Sequence, residues 1–314
     1  MKCSTGQHYL DLSLCTIDYK VEKNIPVVYL FCRDQNGDRK IIKDTTFRPY
    51  FYIRALDLNR EVVYNEIGTP DEHRSYIQKI EFGYKGLARQ VNDLAKIVCD
   101  IPYRVRLLRE KLNKPRTQES PVLTFEADIL FCLRYLIDKG IKTGIRYYPN
   151  TKKIESVEAP SNFRVLYIDI EIAAKDETEL RKFSAPCIIV GMYDSYSREY
   201  TIFYHYRKSR RKYPNLEKPI PDFCLSEHFY PCHSEIDLLS HVIEFIRLKE
   251  PDVIVSFTTF DMIYLLKRCT MKGIDKSRIS PIRKVRIDYN RRRVLIGGIE
   301  YIDCLLYTSP SPRD

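Results

Sequence analysis

Apolar and polar positions divide this chain into a strand-rich first part and a second part in which strands and helices take turns. In the first part, residues 26–33 (PVVYLFCR) and 40–43 flank Gln35-Asn36-Gly37-Asp38. Asn-Gly between apolar runs predicts a hairpin, because both central residues of such a turn need positive φ. Residues 48–55 (RPYFYIRA) predict an aromatic strand. Pro102 opens a helical pattern over 101–112 carried by Val105, Leu107, Leu108 and Leu112. A second helix is predicted over 129–139 and ends at Gly140, a residue suited to the left-handed position after a helix. Residues 148–162 (YPNTKKIESVEAPSN) are polar and hold two prolines, so a domain boundary is expected there, separating 1–148 from 149–303.

In the second part, 165–172 (VLYIDIEI) and 186–193 (PCIIVGMY) read as buried strands and 198–204 as a half-exposed one. Ser234 and Asp237 resemble a capping box ahead of Leu238, Leu239, Val242, Ile243 and Ile246, an amphipathic helix. Residues 251–257 (PDVIVSF) predict another buried strand, 262–272 a helix, and 283–303 a hairpin turning near Tyr289-Asn290. Consecutive strands followed by strands that cross over through helices predict an α/β (α+β) fold with a mixed sheet.

Composition narrows the function. The 314 residues are 44% apolar and 30% charged, which excludes a disordered chain. No apolar run approaches the ~18 residues of a spanning helix. No membrane contact is expected. The first residues lack a signal-peptide pattern, and ten cysteines include no CxxC pair, so reduced thiols and an intracellular location are expected: cytoplasm and nucleoid, or nucleus in a eukaryote. Cys224, His228, Cys232 and His233 fit no common zinc-finger spacing and read as a loop leading into a helix. Lys plus Arg (52) exceeds Asp plus Glu (42), for a net charge of +10, which favours a polyanionic partner. The dense basic runs are Arg207-Lys208-Ser209-Arg210-Arg211-Lys212 and Arg291-Arg292-Arg293. Each is either a phosphate contact or a solvated loop. The final segment, CLLYTSPSPRD (304–314), matches a reading frame of a transposase-type sequencing adapter. It reads as adapter-derived, with the natural chain continuing after about Asp303.

Asp169 and Glu171 interrupt an apolar strand. Side chains alternate along a strand, so the two acids share one face with Cα atoms roughly 6.5–7 Å apart. Buried carboxylates need a cation or a basic partner. Oxygen ligands favour Mg²⁺ or Mn²⁺, and a pair of such ions suits phosphodiester hydrolysis. A salt-bridged acid pair is the other reading.

The surrounding residues resemble a known family. FRVLYIDIEI resembles the first exonuclease motif, Asp-x-Glu after a strand, of family B DNA polymerases, archaeal and viral members included. PDVIVSFTTFDMIYLLKRC resembles the second motif, where Phe-Asp precedes a helix. TFRPYFYIR resembles the family's "PYFY" strand, FEADILFCLRYLIDKGI the helix before its exonuclease domain, and IEYID the strand leading to its "FDLY" segment. The five resemblances run in order across 1–303. They imply a nucleic-acid-binding N-terminal domain (1–148) and a ribonuclease H-like 3′–5′ exonuclease domain (149–303), cut short at its C-terminal end. Asp169, Glu171 and Asp261 take the positions of the metal-binding and catalytic acids, with Mg²⁺ or Mn²⁺ as cofactor. Ser256 and Phe260 fall at second-motif positions expected near the DNA, and Arg207, Arg210, Arg211 and Lys212 are candidate phosphate contacts. The implied partners are a primer 3′ end and single-stranded template. A Tyr-x-x-x-Asp third motif, the polymerase palm and any sliding-clamp contact would lie beyond Asp303. Two positions depart from the family pattern. Ile172 stands where a small or polar residue is usual, and Ser256 where the family carries Asn. These departures keep open a non-catalytic nucleic-acid-binding module on a decayed exonuclease fold.

Overall fold

The structure, a computed structural model, describes residues 8–84, 93–114, 120–205, 227–290 and 292–305. The chain divides into two compact units, one formed by residues 1–35 and 40–160 and the other by 36–39 and 161–314. The division at Pro160/Ser161 falls about a dozen residues later than the sequence boundary, because the polar stretch after Tyr148 folds back as a strand.

The first unit contains β1 (Leu10–Glu22), β2 (Ile25–Arg33), β3 (Arg39–Asp44), β4 (Tyr50–Arg54), α1 (Glu61–Glu66), β5 (Ile77–Tyr84), β6 (Leu94–Cys99), α2 (Pro102–Leu112), α3 (Phe131–Lys139), β7 (Gly144–Tyr148) and β8 (Lys153–Val157). They make a five-stranded sheet ordered β3-β2-β1-β7-β8 and a three-stranded sheet ordered β4-β6-β5. The predicted hairpin and both predicted helices are present, and Gly140 ends α3 at φ 64°. β1, the longest strand, was hidden in the sequence. A register shift between Leu14 and Thr16 breaks its two-residue period, as a bulge does.

The second unit contains β9 (Val165–Ile172), α4 (Glu177–Arg181), β10 (Cys187–Asp194), β11 (Glu199–His205), β12 (Glu227–Cys232), α5 (Glu235–Lys249), β13 (Val253–Ser256), α6 (Thr259–Met271), β14 (Val285–Asp288), β15 (Arg293–Ile296) and β16 (Glu300–Asp303). A six-stranded sheet runs β12-β11-β10-β9-β13-β16. The three central strands β9, β10 and β11 are antiparallel, while β12, β13 and β16 join in parallel. This is the mixed sheet the pattern predicted. β9 departs from the expected buried strand: Leu166, Ile168 and Ile170 enter the core, while Tyr167, Asp169 and Glu171 face outward. The segment read as a loop before α5 is instead the edge strand β12.

Ser234 caps α5 by accepting the Asp237 backbone N–H, as the sequence implied. The apolar stripe behind it (Leu238, Leu239, Val242, Ile243, Ile246) is buried with the inward residues of β9 and with Met262, Tyr264 and Leu265 of α6. At the end of β10, Asp194 is 1% exposed and accepts two hydrogen bonds from the Arg164 guanidinium, at 2.9 and 2.6 Å. Ser197 Oγ donates to it as well, and Lys249 Nζ lies 3.2 Å away. Burial alone would raise the Asp194 pKa, but these donors outweigh it and hold the carboxyl well below its ordinary range. A depressed carboxylate adds stability above its unfolded pKa of about 4, and that stability drains away at lower pH. Asp194→Asn should therefore destabilise the second unit by about 3 kcal/mol at pH 7. Urea unfolding of the two proteins should converge as pH falls below 4, and equal stabilities at pH 7 would contradict this role.

Candidate active site

Two consecutive outward positions of β9 carry Asp169 and Glu171, both exposed. The third acid arrives through β13. Val253, Ile254 and Val255 pair in parallel register with Val165, Leu166 and Tyr167, so β13 ends beside the middle of β9. The chain then turns at Phe257-Thr258 into α6, whose first turn holds Phe260 and Asp261. Phe260 is 42% exposed and packs its ring 5.3 Å from that of Tyr264. Asp261 is half-buried.

Asp261 is affected by the acids around it. Asp261 is pushed up to about 6, first by burial, and further by the negative charges of Asp169, Asp303 and Glu171, against a lowering backbone hydrogen bond at Thr258. Asp169, Glu171 and Asp261 have no ion-pair partner among the described residues. The salt-bridged reading of the Asp169/Glu171 pair therefore lacks a basic partner there. Carboxylate oxygens suit a hard divalent cation, but the ligand atoms of these three acids do not all lie within 4.8 Å of one another.

Asp303 was not singled out by the sequence. It ends β16 opposite Ser256 and accepts from the backbone N–H of Thr259 at 2.7 Å and from the Thr259 hydroxyl. It thereby caps the first turn of α6, the turn that carries Asp261. A carboxylate at the end of a strand was the only sequence signal, and the parallel pairing of β16 with β13 gives it meaning.

Ser256 is 2% exposed. Its hydroxyl donates to the Thr258 carbonyl at 2.6 Å and meets the Tyr301 hydroxyl. Tyr301 also donates to the same carbonyl. The structure thus occupies Ser256 in shaping the turn before α6. Ile172 packs against the core, on the face opposite the acids, so this departure does not intrude on them. Arg207, Arg210, Arg211 and Lys212 lie outside the described residues, as does Arg291.

The outward face of β9, β10 and β11 carries a second feature. Tyr167, Tyr193 and Tyr200 are cross-strand neighbours, with ring centroids 6.0 and 4.8 Å apart along the row. One step along the sheet, Gly191 lies opposite Asp169, and a Cβ added there would meet nothing within 4 Å. The missing side chain leaves an open concavity of about 280 Å³ beside Asp169, walled by Tyr167, Tyr193, Tyr200 and Phe257.

A mixed sheet with an acid pair on its open face and a third acid at a helix start has a counterpart among known proteins. The family described as DNA polymerase family B, exonuclease domain, matches residues 122–309. The chain belongs to DNA polymerase family B. It is 27% identical over 310 residues to a DNA polymerase of Methanocaldococcus jannaschii, covering 96% of this chain and 16% of that protein. It is 26% identical over 261 residues to DNA polymerase 1 of Pyrococcus abyssi, covering 82% of this chain and 29% of that one. The chain thus spans less than a third of the length of these relatives. A solved family B DNA polymerase from Pyrobaculum calidifontis shares the fold, with a TM-score of 0.65 and 20% identity over 96% of this chain and 38% of that one. The family match runs past Asp303 into the segment read as adapter-derived, of which residues 306–314 lie outside the described residues. No helix among the described residues is long and apolar enough to cross a membrane.

The electrostatics of Asp261 give a direct expectation. Its folded pKa lies above the unfolded value of about 4, so the folded chain binds more protons between the two values and loses stability as pH rises from 4 to 6. Asp261→Asn should unfold at higher urea than the parent at pH 7 without divalent cations, and at nearly the same urea at pH 4. A lower midpoint at pH 7 would mean that the carboxylate supports the fold instead of straining it.

Proposed function

We propose that this chain is the N-terminal part of a family B DNA polymerase, with residues 1–148 as its nucleic-acid-binding N-terminal domain and 149–303 as most of its 3′–5′ proofreading exonuclease. Residues 304–314 are read as adapter-derived. The observation that supports the reading is the raised Asp261 carboxyl, which is affected by Asp169 and Glu171, none of the three having a basic partner among the described residues. These three would hold Mg²⁺ or Mn²⁺. When bound, such ions supply charge stabilisation at a phosphodiester and at its leaving oxygen.

The chain's own residues supply placement. Asp303 fixes the first turn of α6 and through it the position of Asp261. Phe260, Phe257 and the Tyr167–Tyr193–Tyr200 row offer faces on which unpaired bases can stack, each worth about 1–3 kcal/mol where a base engages it. Gly191 leaves room for a sugar-phosphate beside Asp169. Arg207, Arg210, Arg211 and Lys212 are proposed as phosphate contacts that make binding salt-dependent. DNA is the proposed partner, as a primer 3′ end and a single-stranded template inside the cell. Polymerisation and any sliding-clamp contact belong to chain beyond this part. The second reading, a nucleic-acid-binding module without chemistry, draws on Ser256, whose hydroxyl is spent within the protein where the family carries Asn.

The family's third motif brings a fourth carboxylate and a Tyr that orients the attacking water, and a displacement of ~1 Å in such a site costs about a hundredfold. Residues 1–303 should therefore bind DNA ends weakly and degrade them little with Mg²⁺. A longer chain that includes a Tyr-x-x-x-Asp helix should digest single strands from the 3′ end, and Asp169→Ala in it should abolish digestion. The assay is 3′-end digestion by the two chains at equal concentration. Robust digestion by the short chain, lost in Asp169→Ala, would show the missing carboxylate to be dispensable. A longer chain with no digestion at all would favour the binding module.

A further inference from the structure

A second cluster of ligand atoms lies in the same unit, built from residues outside the acid set. Cys232 ends the edge strand β12, and Asp237 and His241 sit one turn apart on α5. The thiol, the carboxylate and the imidazole present ligand atoms within 4.8 Å of one another. Cys232 is 7% exposed, while His241 is open to solvent. Of the Cys224, His228, Cys232 and His233 to which the sequence drew attention, Cys232 alone enters this cluster. His228 faces Glu199 at 3.7 Å, and Cys224 lies outside the described residues.

Helix capping explains only half of Asp237. Its Oδ2 accepts the His233 backbone N–H at 2.9 Å, the usual duty of an acid in the first turn. That bond orients the carboxylate with Oδ1 3.1 Å from His241 Nδ1; this nitrogen also lies 2.9 Å from the Asp237 backbone carbonyl, which leaves Nε2 as the ring nitrogen open to a metal. The Phe203 ring lies flat against the imidazole, with centroids 6.0 Å apart and planes at 15°. One further ligand type stands close by: His205 on β11 is in register with Cys232, and its buried Nδ1 has no hydrogen-bond partner among the described residues. Residues in register on parallel strands share a face of the sheet. That face is the one covered by α5, because Phe203, two residues before His205, contacts His241 and Phe245.

We propose that Cys232, Asp237 and His241 form a zinc site that clips the edge strand β12 to α5. A set of one sulfur, one nitrogen and one oxygen suits Zn²⁺ and does not suit Mg²⁺ or Ca²⁺, which take oxygen ligands. Tetrahedral zinc with Zn–S about 2.3 Å and Zn–N about 2.0 Å needs ligand atoms roughly 3.5 Å apart. The ligand atoms lie within 4.8 Å of one another, so small side-chain movements, which the solvent-open His241 is placed to make, close the cluster. The fourth corner is left to water or to His205. Binding deprotonates Cys232, and its proton is released to solvent. The site is separate from the exonuclease acids in both residues and chemistry, so it neither needs nor tests the proposed function.

Cobalt is the probe. Co²⁺ added to the reduced protein should give a thiolate-to-cobalt charge-transfer band that saturates at one ion per chain and is bleached by Zn²⁺. Cys232→Ser should remove the band. His241→Gln, at an exposed position that the core does not need, should weaken Zn²⁺ binding by about a hundredfold or more, the scale of losing a metal contact. Zinc should also raise the melting temperature of the parent, and not that of His241→Gln. Absence of the band in the parent, or Zn²⁺ affinity unchanged in a folded His241→Gln, would overturn the proposal.

Discussion

Three backbone pairings fix the acidic site. Val253, Ile254 and Val255 of β13 lie in parallel register with Val165, Leu166 and Tyr167 of β9, and this short ladder brings the start of α6 to the acids of β9. A slip of one residue would turn Leu166, Ile168 and Ile170 outward and send Asp169 and Glu171 into the core. The register is held because that inward row is packed under α5 and α6, where exposing it would cost about 1.5–3 kcal/mol per side chain. The cluster of negative charge is thus imposed on the fold by apolar packing on the opposite face of the sheet.

A buried ion pair ties the two helices together. Glu235, at the start of α5, accepts two hydrogen bonds from the Arg268 guanidinium of α6 and one from the Cys187 backbone N–H of β10. Arg268 donates further to the Phe183 and Ser184 carbonyls, and Lys272 Nζ stands 3.3 Å from Glu235. Burial raises the pKa of Glu235 less than these contacts lower it, so the carboxylate stays ionised. Its two faces are satisfied, in contrast with Asp261, whose neighbours are acids. Glu235 serves the scaffold, whereas half-buried Asp261 is held up first by burial and then by its acidic neighbours.

Much of this was legible in the sequence, for physical reasons that can be named. The Asn36-Gly37 turn, the Pro102 helix start, the Gly140 stop and the Ser234 cap are local, and local chemistry alone decides them. Asp169 and Glu171 were legible because polar residues at a two-residue period inside an apolar run have few bland explanations. The misses were non-local. β1 was hidden by its bulge, β8 by a polar composition that only pairing with β7 makes a strand, and β12 by its place at the sheet edge, where apolar alternation is not required. Asp303 gains its role from a partner forty-four residues away, and the Cys232–Asp237–His241 cluster from a helix folding over a strand end. The four-residue spacing of Asp237 and His241 on a helix places them side by side, but nothing in the spacing announces Cys232 or the Asp303 contact.

If Asp169, Glu171 and Asp261 share one cation, the chain's own tyrosines can report on it. The sequence has 24 Tyr and no Trp, and Tyr167 stands two residues from Asp169 on the same face of β9. Tyrosine-sensitised Tb³⁺ luminescence is therefore the most direct measurement. A shared site gives a saturable signal that Mn²⁺ displaces and that is lost both in Asp169→Asn and in Asp261→Asn, residues ninety-two positions apart in the chain. A signal that survives Asp261→Asn at full strength would show that the acids of β9 and α6 do not share an ion.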